Sequence, residues 1–191
     1  MNISLYFLIA ASIMSSFQFI NSFETVNADD LVDRYWIALN GKMQTPPVNT
    51  DAIGFVGLKF EENSRLLYNV NLVNIHNVTG VYLYHGNKTQ NGTIVLDLLK
   101  ATRESNREYA KVLNSTKEGE ISGTVNIGAI TDIDLKGDLK GKSISKLHKM
   151  MDDGVLYVIV HTIDYPQGEI RGNSFVGMDD VFHDADKLNW K

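Results

Sequence analysis

The sequence predicts an all-β fold: an antiparallel sandwich or barrel of about seven to nine strands, with one short helix over residues 143–151. Three observations carry that expectation. Short runs rich in Val, Ile, Leu, Tyr and Phe recur along the chain, with Gly, Asn, Asp and Pro between them. The run VLYVIV at 155–160 is apolar in both of its alternating sets, which marks a strand covered on both faces. The stretch SISKLHKMM at 143–151 spaces Ile144, Leu147, Met150 and Met151 for one face of a helix, with Ser143 as N-cap and Gly154 as its stop.

In chain order, residues 33–40 (DRYWIALN) read as the first strand, followed by a turn-rich loop containing Pro46-Pro47. A second strand is expected over 52–60, where Gly54 and Gly57 signal a bulge or a close backbone approach. Residues 65–74 alternate Leu67, Asn69 and Asn71 against Tyr68, Val70 and Leu72, the pattern of a half-buried antiparallel strand. Strands over 81–85 and 93–99 flank the turn chemistry of Asn87, Asn91 and Gly92. Residues 101–119 are charged and without a strong apolar stripe, a surface excursion with room for a short helix. Strand character resumes at 120–127, and two Leu-Lys-Gly steps follow at 135–137 and 139–141.

The run 155–160 then leads through His161 and Thr162 to Tyr165-Pro166-Gln167-Gly168, where Pro166 suits the second position of a turn and Gly168 the last. Glu169 and Arg171 follow two apart, so strand alternation puts them on one face, near enough to neighbours for a carboxylate–guanidinium network. A structural ion-pair network is the favoured reading, with Arg171 as a ligand-binding residue the alternative.

With 191 residues the chain suffices for one domain with a real core. Its net charge of −5, with Lys and Arg scattered, argues against nucleic-acid binding. Cysteine is absent, which removes disulfides, thiolate metal sites and a Cys nucleophile. Residues 5–20 are dominated by apolar side chains and carry no charge, a length suited to a signal-peptide core. The expected organisation is therefore a signal peptide or uncleaved N-terminal anchor over 1–28, a β domain over 33–176 and an acidic tail over 177–191. Cleavage after Ser22 or after Ala28 meets the small-residue preference.

Several of these pieces, in this order, resemble the CHRD domain, the module repeated in the developmental regulator chordin. The matching stretches are Ala38-Leu39-Asn40-Gly41, Pro46-Pro47-Val48, Ala52-Ile53-Gly54, Asn74 to Thr79, Asn91 to Val95 and Leu135 to Gly141. The most specific is Tyr157 to Thr162 running into Pro166-Gln167-Gly168-Glu169-Ile170-Arg171-Gly172. The resemblance implies an extracytoplasmic antiparallel β module used for protein association. Members of the family commonly carry a His-x-His pair after the Asn-Val-Thr segment. Tyr82 and Tyr84 hold those places here and His85 follows one position later, so any metal capacity of that pair does not carry over.

His161, Thr162, Glu169 and Arg171 form the candidate binding or structural motif. His85 and His161 are the candidate metal ligands, since imidazole favours Zn²⁺ and Cu²⁺, although packing or surface hydrogen bonding is the favoured reading for both. His148 lies on the expected helix beside Lys146 and Lys149, which disfavours a cation. The tail residues Asp179, Asp180, His183, Asp184 and Asp186 read as a solvated acidic run rather than a Ca²⁺ loop. His161 and Thr162 are neighbours on a strand and point to opposite faces, so they make no catalytic dyad, and no nucleophile motif is present. The chain is expected not to be an enzyme, and no catalytic residue or cofactor is assigned. Asn77, Asn87, Asn91 and Asn114 head N-glycosylation sequons.

The sequence thus points to a secreted or cell-surface module with a protein-binding or structural role. Its expected partners are an extracellular protein or a second copy of itself, no nucleic acid, and a membrane only through an uncleaved N-terminal segment. The alternative is an envelope Cu/Zn-binding or redox-related protein using histidines.

Overall fold

Among the described residues, eight antiparallel strands curl into a single half-barrel sheet, and one α-helix packs on its concave side. The computed structural model describes residues 34–61, 64–86, 92–99, 119–173 and 176–177. The expected N-terminal export segment, residues 101–118 of the charged excursion, the tail beyond Gly177, and Asn87, Asn91 and Asn114 lie outside the described residues. The strands are β1 (Arg34–Asn40), β2 (Ile53–Glu61), β3 (Arg65–His76), β4 (Val78–His85), β5 (Thr93–Asp97), β6 (Glu120–Ile130), β7 (Leu156–Thr162) and β8 (Ile170–Gly172), with the helix α1 (Ile144–Asp152) between β6 and β7. Their order across the sheet is β5-β4-β7-β8-β1-β2-β3-β6. A two-residue strand, β9 (Val176–Gly177), pairs with β1 beyond β8.

The sandwich-or-barrel expectation resolves into one curled sheet with β5 and β6 at its two ends. Those ends approach each other where Asn126 Nδ2 of β6 donates 2.7 Å to the Leu98 carbonyl just past β5. Strong twist in long antiparallel strands drives such curling, and β3 adds two register shifts against β6.

The expected elements are present with shifted ends. β4 begins three residues before the expected 81, because Val78 and Gly80 still pair with Thr162 and His161, with Thr79 bulged out at a register shift between them. β6 runs on to Ile130, paired with Leu66. β9 joins Val176, the last residue of the expected β domain, to Gly177, the first of the expected tail; two residues are too few to show periodicity, so no strand is expected there from sequence.

Alternation sorts the side chains as the sequence implied. Val56, Leu58, Leu66, Tyr68, Val70, Leu72, Leu156, Val158 and Val160 fill the concave core, closed by Ile144, Leu147, Met150 and Met151 of α1. Ser143 caps the helix by accepting from Lys146 N, and Gly154 follows it at φ +67. β7 lies between β4 and β8 and is buried on both faces, its convex face packing Tyr157 and Ile159 with Tyr84 in a second, small cluster. Gly57 marks a close approach rather than a bulge. A Cβ there would stand 2.8 Å from the Trp36 ring and 2.5 Å from Asn69 Oδ1, the atom that accepts the Gly57 N–H at 2.9 Å. Asn69 and Asn71 are buried too, so the middle of β3 is covered on both faces and not half-buried as expected; Asn69 takes the Gly57 N–H and Asn71 the Thr124 hydroxyl.

Candidate functional site

The C-terminal end of β7 and the N-terminal end of β8 bring the motif residues together, and they separate into an inner and an outer group. Glu169 precedes β8 in a bend, so strand alternation does not govern it. Its carboxylate turns to the core-facing set of β7, where Thr162 Oγ1 donates to Oε2 at 2.9 Å. Thr50 Oγ1 donates to Oε1 at 2.7 Å. Each hydroxyl also accepts a backbone N–H, Thr162 from Tyr165 at 3.2 Å and Thr50 from Ala52 at 3.1 Å. One buried carboxylate thereby fastens two loops at the same end of the sheet.

Arg171 stays in register and faces outward. It is fully buried, with its guanidinium carbon 3.8 Å from the centroid of the Tyr157 ring and its Nε bonded to Asn173 Oδ1. Burial pulls the guanidinium below its ordinary range, and the interaction with Tyr157 acts in the opposite sense. The expected carboxylate–guanidinium pairing of Glu169 with Arg171 is therefore corrected: the acid binds hydroxyls inside and the base stacks on an aromatic ring outside. The physical reason is the bend at Glu169, which breaks the alternation that would have put them on one face.

His161 continues the outer face. Its Nδ1 lies 3.0 Å from the Pro166 carbonyl and its Nε2 lies 2.9 Å from the Tyr84 hydroxyl. A carbonyl only accepts, so Nδ1 carries the proton; in the neutral ring Nε2 then accepts from Tyr84. Tyr84 stacks on Tyr157 with centroids 5.3 Å apart, and Tyr82 meets His161 edge-on at 5.4 Å. Burial, then Tyr157 and Tyr82, push the Tyr84 phenol up to about 12. Tyr157 OH accepts from the Gly92 N–H at 2.6 Å. Tyr82 and Tyr84 thus serve as aromatic packing over β7.

The two candidate metal ligands do not converge. Gly80 pairs with His161 and His85 pairs with Leu156, so the histidines stand at opposite ends of the β4–β7 ladder, roughly 16 Å apart at ~3.3 Å per residue. They also face opposite sides, since His85 shares a face with Leu156 and His161 with Tyr157. His85 bonds Asp138 at 3.0 Å on the surface. Among the described residues no three His, Asp or Glu side chains gather around a common point. Asn77 lies in the tight β3–β4 turn at φ +50, and its Oδ1 accepts from Gly119 N at 2.8 Å.

Thr50, Tyr157 and Asn173 complete the arrangement without having been singled out from sequence. Tyr157 becomes predictable once β7 and β8 are in register, because Ile159 opposes Arg171 and Tyr157 is its diagonal neighbour on the same face. Thr50 carries no sequence signal, lying far from Glu169 in a loop.

A family model for the CHRD domain matches residues 36–173. The chain belongs to the CHRD-domain family. No curated protein and no solved structure matches it. The match takes in all of the hairpin, so the inner carboxylate clamp and the outer Arg171–Tyr157 stack are features of this CHRD domain's own construction.

The same end of the CHRD domain carries apolar side chains in solvent. Ile163 is 63 % exposed, Met43 40 % and Tyr165 36 %, on two loops that touch where Gln44 packs against Gly168. The other exposed large apolar residue among those described, Ile133, follows β6 at the opposite end of the sheet.

Proposed function

We propose that this CHRD domain is an extracytoplasmic, non-enzymatic association module that docks a protein partner through the loop tips at its hairpin end. The observation that carries this reading is the gathering of Met43, Ile163 and Tyr165 on two loops fixed from beneath. The Glu169 clamp holds both loop bases, so these side chains are presented with little of the ordering cost a mobile loop would incur on binding. The motif's polar groups are spent on internal contacts, which leaves its surface, rather than a reactive centre, as the working part. The apolar, uncharged segment at 5–20 supports export to where such a partner would be met.

The test is a photo-crosslinking amino acid placed in the full chain at 163, at 165 or, as control, at 133, with irradiation of intact cells of its own host. A discrete adduct from 163 and 165, absent from 133, supports the reading, and its mass tells a different protein from a second copy of the chain. No adduct from either loop position, or equal adducts from 133, overturns it.

A further inference from the structure

A second cluster of chemistry-bearing side chains lies where α1 meets the sheet, away from the hairpin. Tyr35 of β1 places its hydroxyl 2.8 Å from His148 Nε2 and 2.5 Å from Asp152 Oδ1. His148 and Asp152 are one helical turn apart on α1, so both reach the same phenol. The imidazole is held in place: Phe60 stacks on it with centroids 4.1 Å apart and planes 14° apart, and the Tyr35 ring meets it edge-on at 5.5 Å. His148 is half-buried and Asp152 exposed, so the cluster opens to solvent on one side.

We propose that Tyr35, His148 and Asp152 form a binding site for a divalent transition-metal cation, with Cu²⁺ the tightest of the series. The donors are one phenolate oxygen, one imidazole nitrogen and one carboxylate oxygen, a set suited to first-row metals, among which N/O sites bind Cu²⁺ most strongly. The spacing fits. Ligands about 2.0–2.1 Å from one metal in a cis arrangement stand ~2.9 Å apart, so the two short contacts need open by only a few tenths of an ångström. The stacked Phe60 ring and the edge-on Tyr35 ring fix the imidazole plane, as outer-shell groups do for metal-bound imidazoles. The neighbouring Lys149 does not oppose a cation as the sequence suggested, because its ammonium bonds Asp153 at 3.1 Å. Lys146, two residues before His148, leaves the helix on another side and is exposed. On binding, the phenolic proton of Tyr35 leaves to solvent and water fills the remaining coordination positions.

The experiment is titration of the metal-stripped, untagged full chain with CuCl2, read by equilibrium dialysis and by visible absorption. The expected result is one equivalent of Cu²⁺ per chain with a phenolate-to-copper charge-transfer band. Tyr35→Phe, which keeps the ring and its packing, should abolish the band, and His148→Gln should weaken binding ~10-fold or more. His85→Asn should leave both unchanged. Circular dichroism and melting curves on each variant separate loss of metal from loss of fold. Absence of saturable binding at one equivalent overturns the site, as does binding without the band or binding lost in His85→Asn but kept in His148→Gln.

Discussion

The guanidinium of Arg171 lies 3.8 Å from the centre of the Tyr157 ring, a diagonal cross-strand stack in which the cation is wholly removed from water. A desolvated cation–π contact is worth about 2 kcal/mol, and the Arg stem adds packing over β7. Arg171→Ala should therefore destabilise by about 2–4 kcal/mol in chemical denaturation, from the lost stack and the cavity together. Arg171→Met keeps most of the volume and sheds the cost of burying a charge, so it should lose less, about 1–2 kcal/mol. An Arg171→Ala midpoint equal to that of the parent would refute the stack as a stabilising contact.

The Glu169 clamp makes a different demand. Removing the carboxylate strands two hydroxyls that each also accept a backbone N–H. Glu169→Ala should cost about 2–4 kcal/mol, and Thr162→Val about 1–2 kcal/mol. Because both changes break one bond in common, the double variant should be less destabilised than the sum of the singles. Strict additivity would mean that the carboxylate and the Thr162 hydroxyl act independently.

Gly168 sits at φ +114, where a side chain is strained, and a Cβ there would stand 2.4 Å from Ile159 Cγ2 and 2.2 Å from Gln44 Nε2. The Gln44 end can swing aside, but Ile159 is β-branched and buried in the central strand, so it decides the outcome. Gly168→Ala should destabilise by about 2–4 kcal/mol through strain and overpacking. Adding Gln44→Ala should recover almost none of that loss. A full recovery would show that the glutamine, not the strand, sets the limit.

Much of this construction was legible in the sequence because alternation is local. The concave and convex sets of β3 and β7, the helix with its Ser143 cap, and the turn at Pro166–Gly168 all follow from residue types at fixed short spacing. The Glu169–Arg171 pairing failed at one bend, since a single residue outside the ladder reverses which face it serves. The partners of both residues, Thr50 and Tyr157, come from register and from a loop distant in sequence, neither of which periodicity encodes. His85 and His161 looked comparable as single residues; only the ladder shows them at opposite ends and on opposite faces. The meeting of Tyr35 with His148 and Asp152 depends on where α1 docks, which its apolar stripe orients but does not place.

Tyr84 should make the domain lose stability at alkaline pH. Its phenol is raised from 10.0 to about 12, first by burial and then by the neighbouring Tyr157 and Tyr82, so the fold favours the protonated form that donates to His161. In the unfolded chain the same group titrates near 10.0. The sign follows from linkage: with the folded value above the unfolded one, the native state holds the proton longer. Its contribution is complete below pH 10 and is lost as pH rises toward 12. Melting temperature followed from neutral to strongly alkaline pH should fall through this window more steeply in the parent than in Tyr84→Phe. That variant should begin less stable, having lost the bond to His161, and the two curves should converge as the parent approaches pH 12. Parallel curves across the window would show that Tyr84 does not cause this alkaline loss.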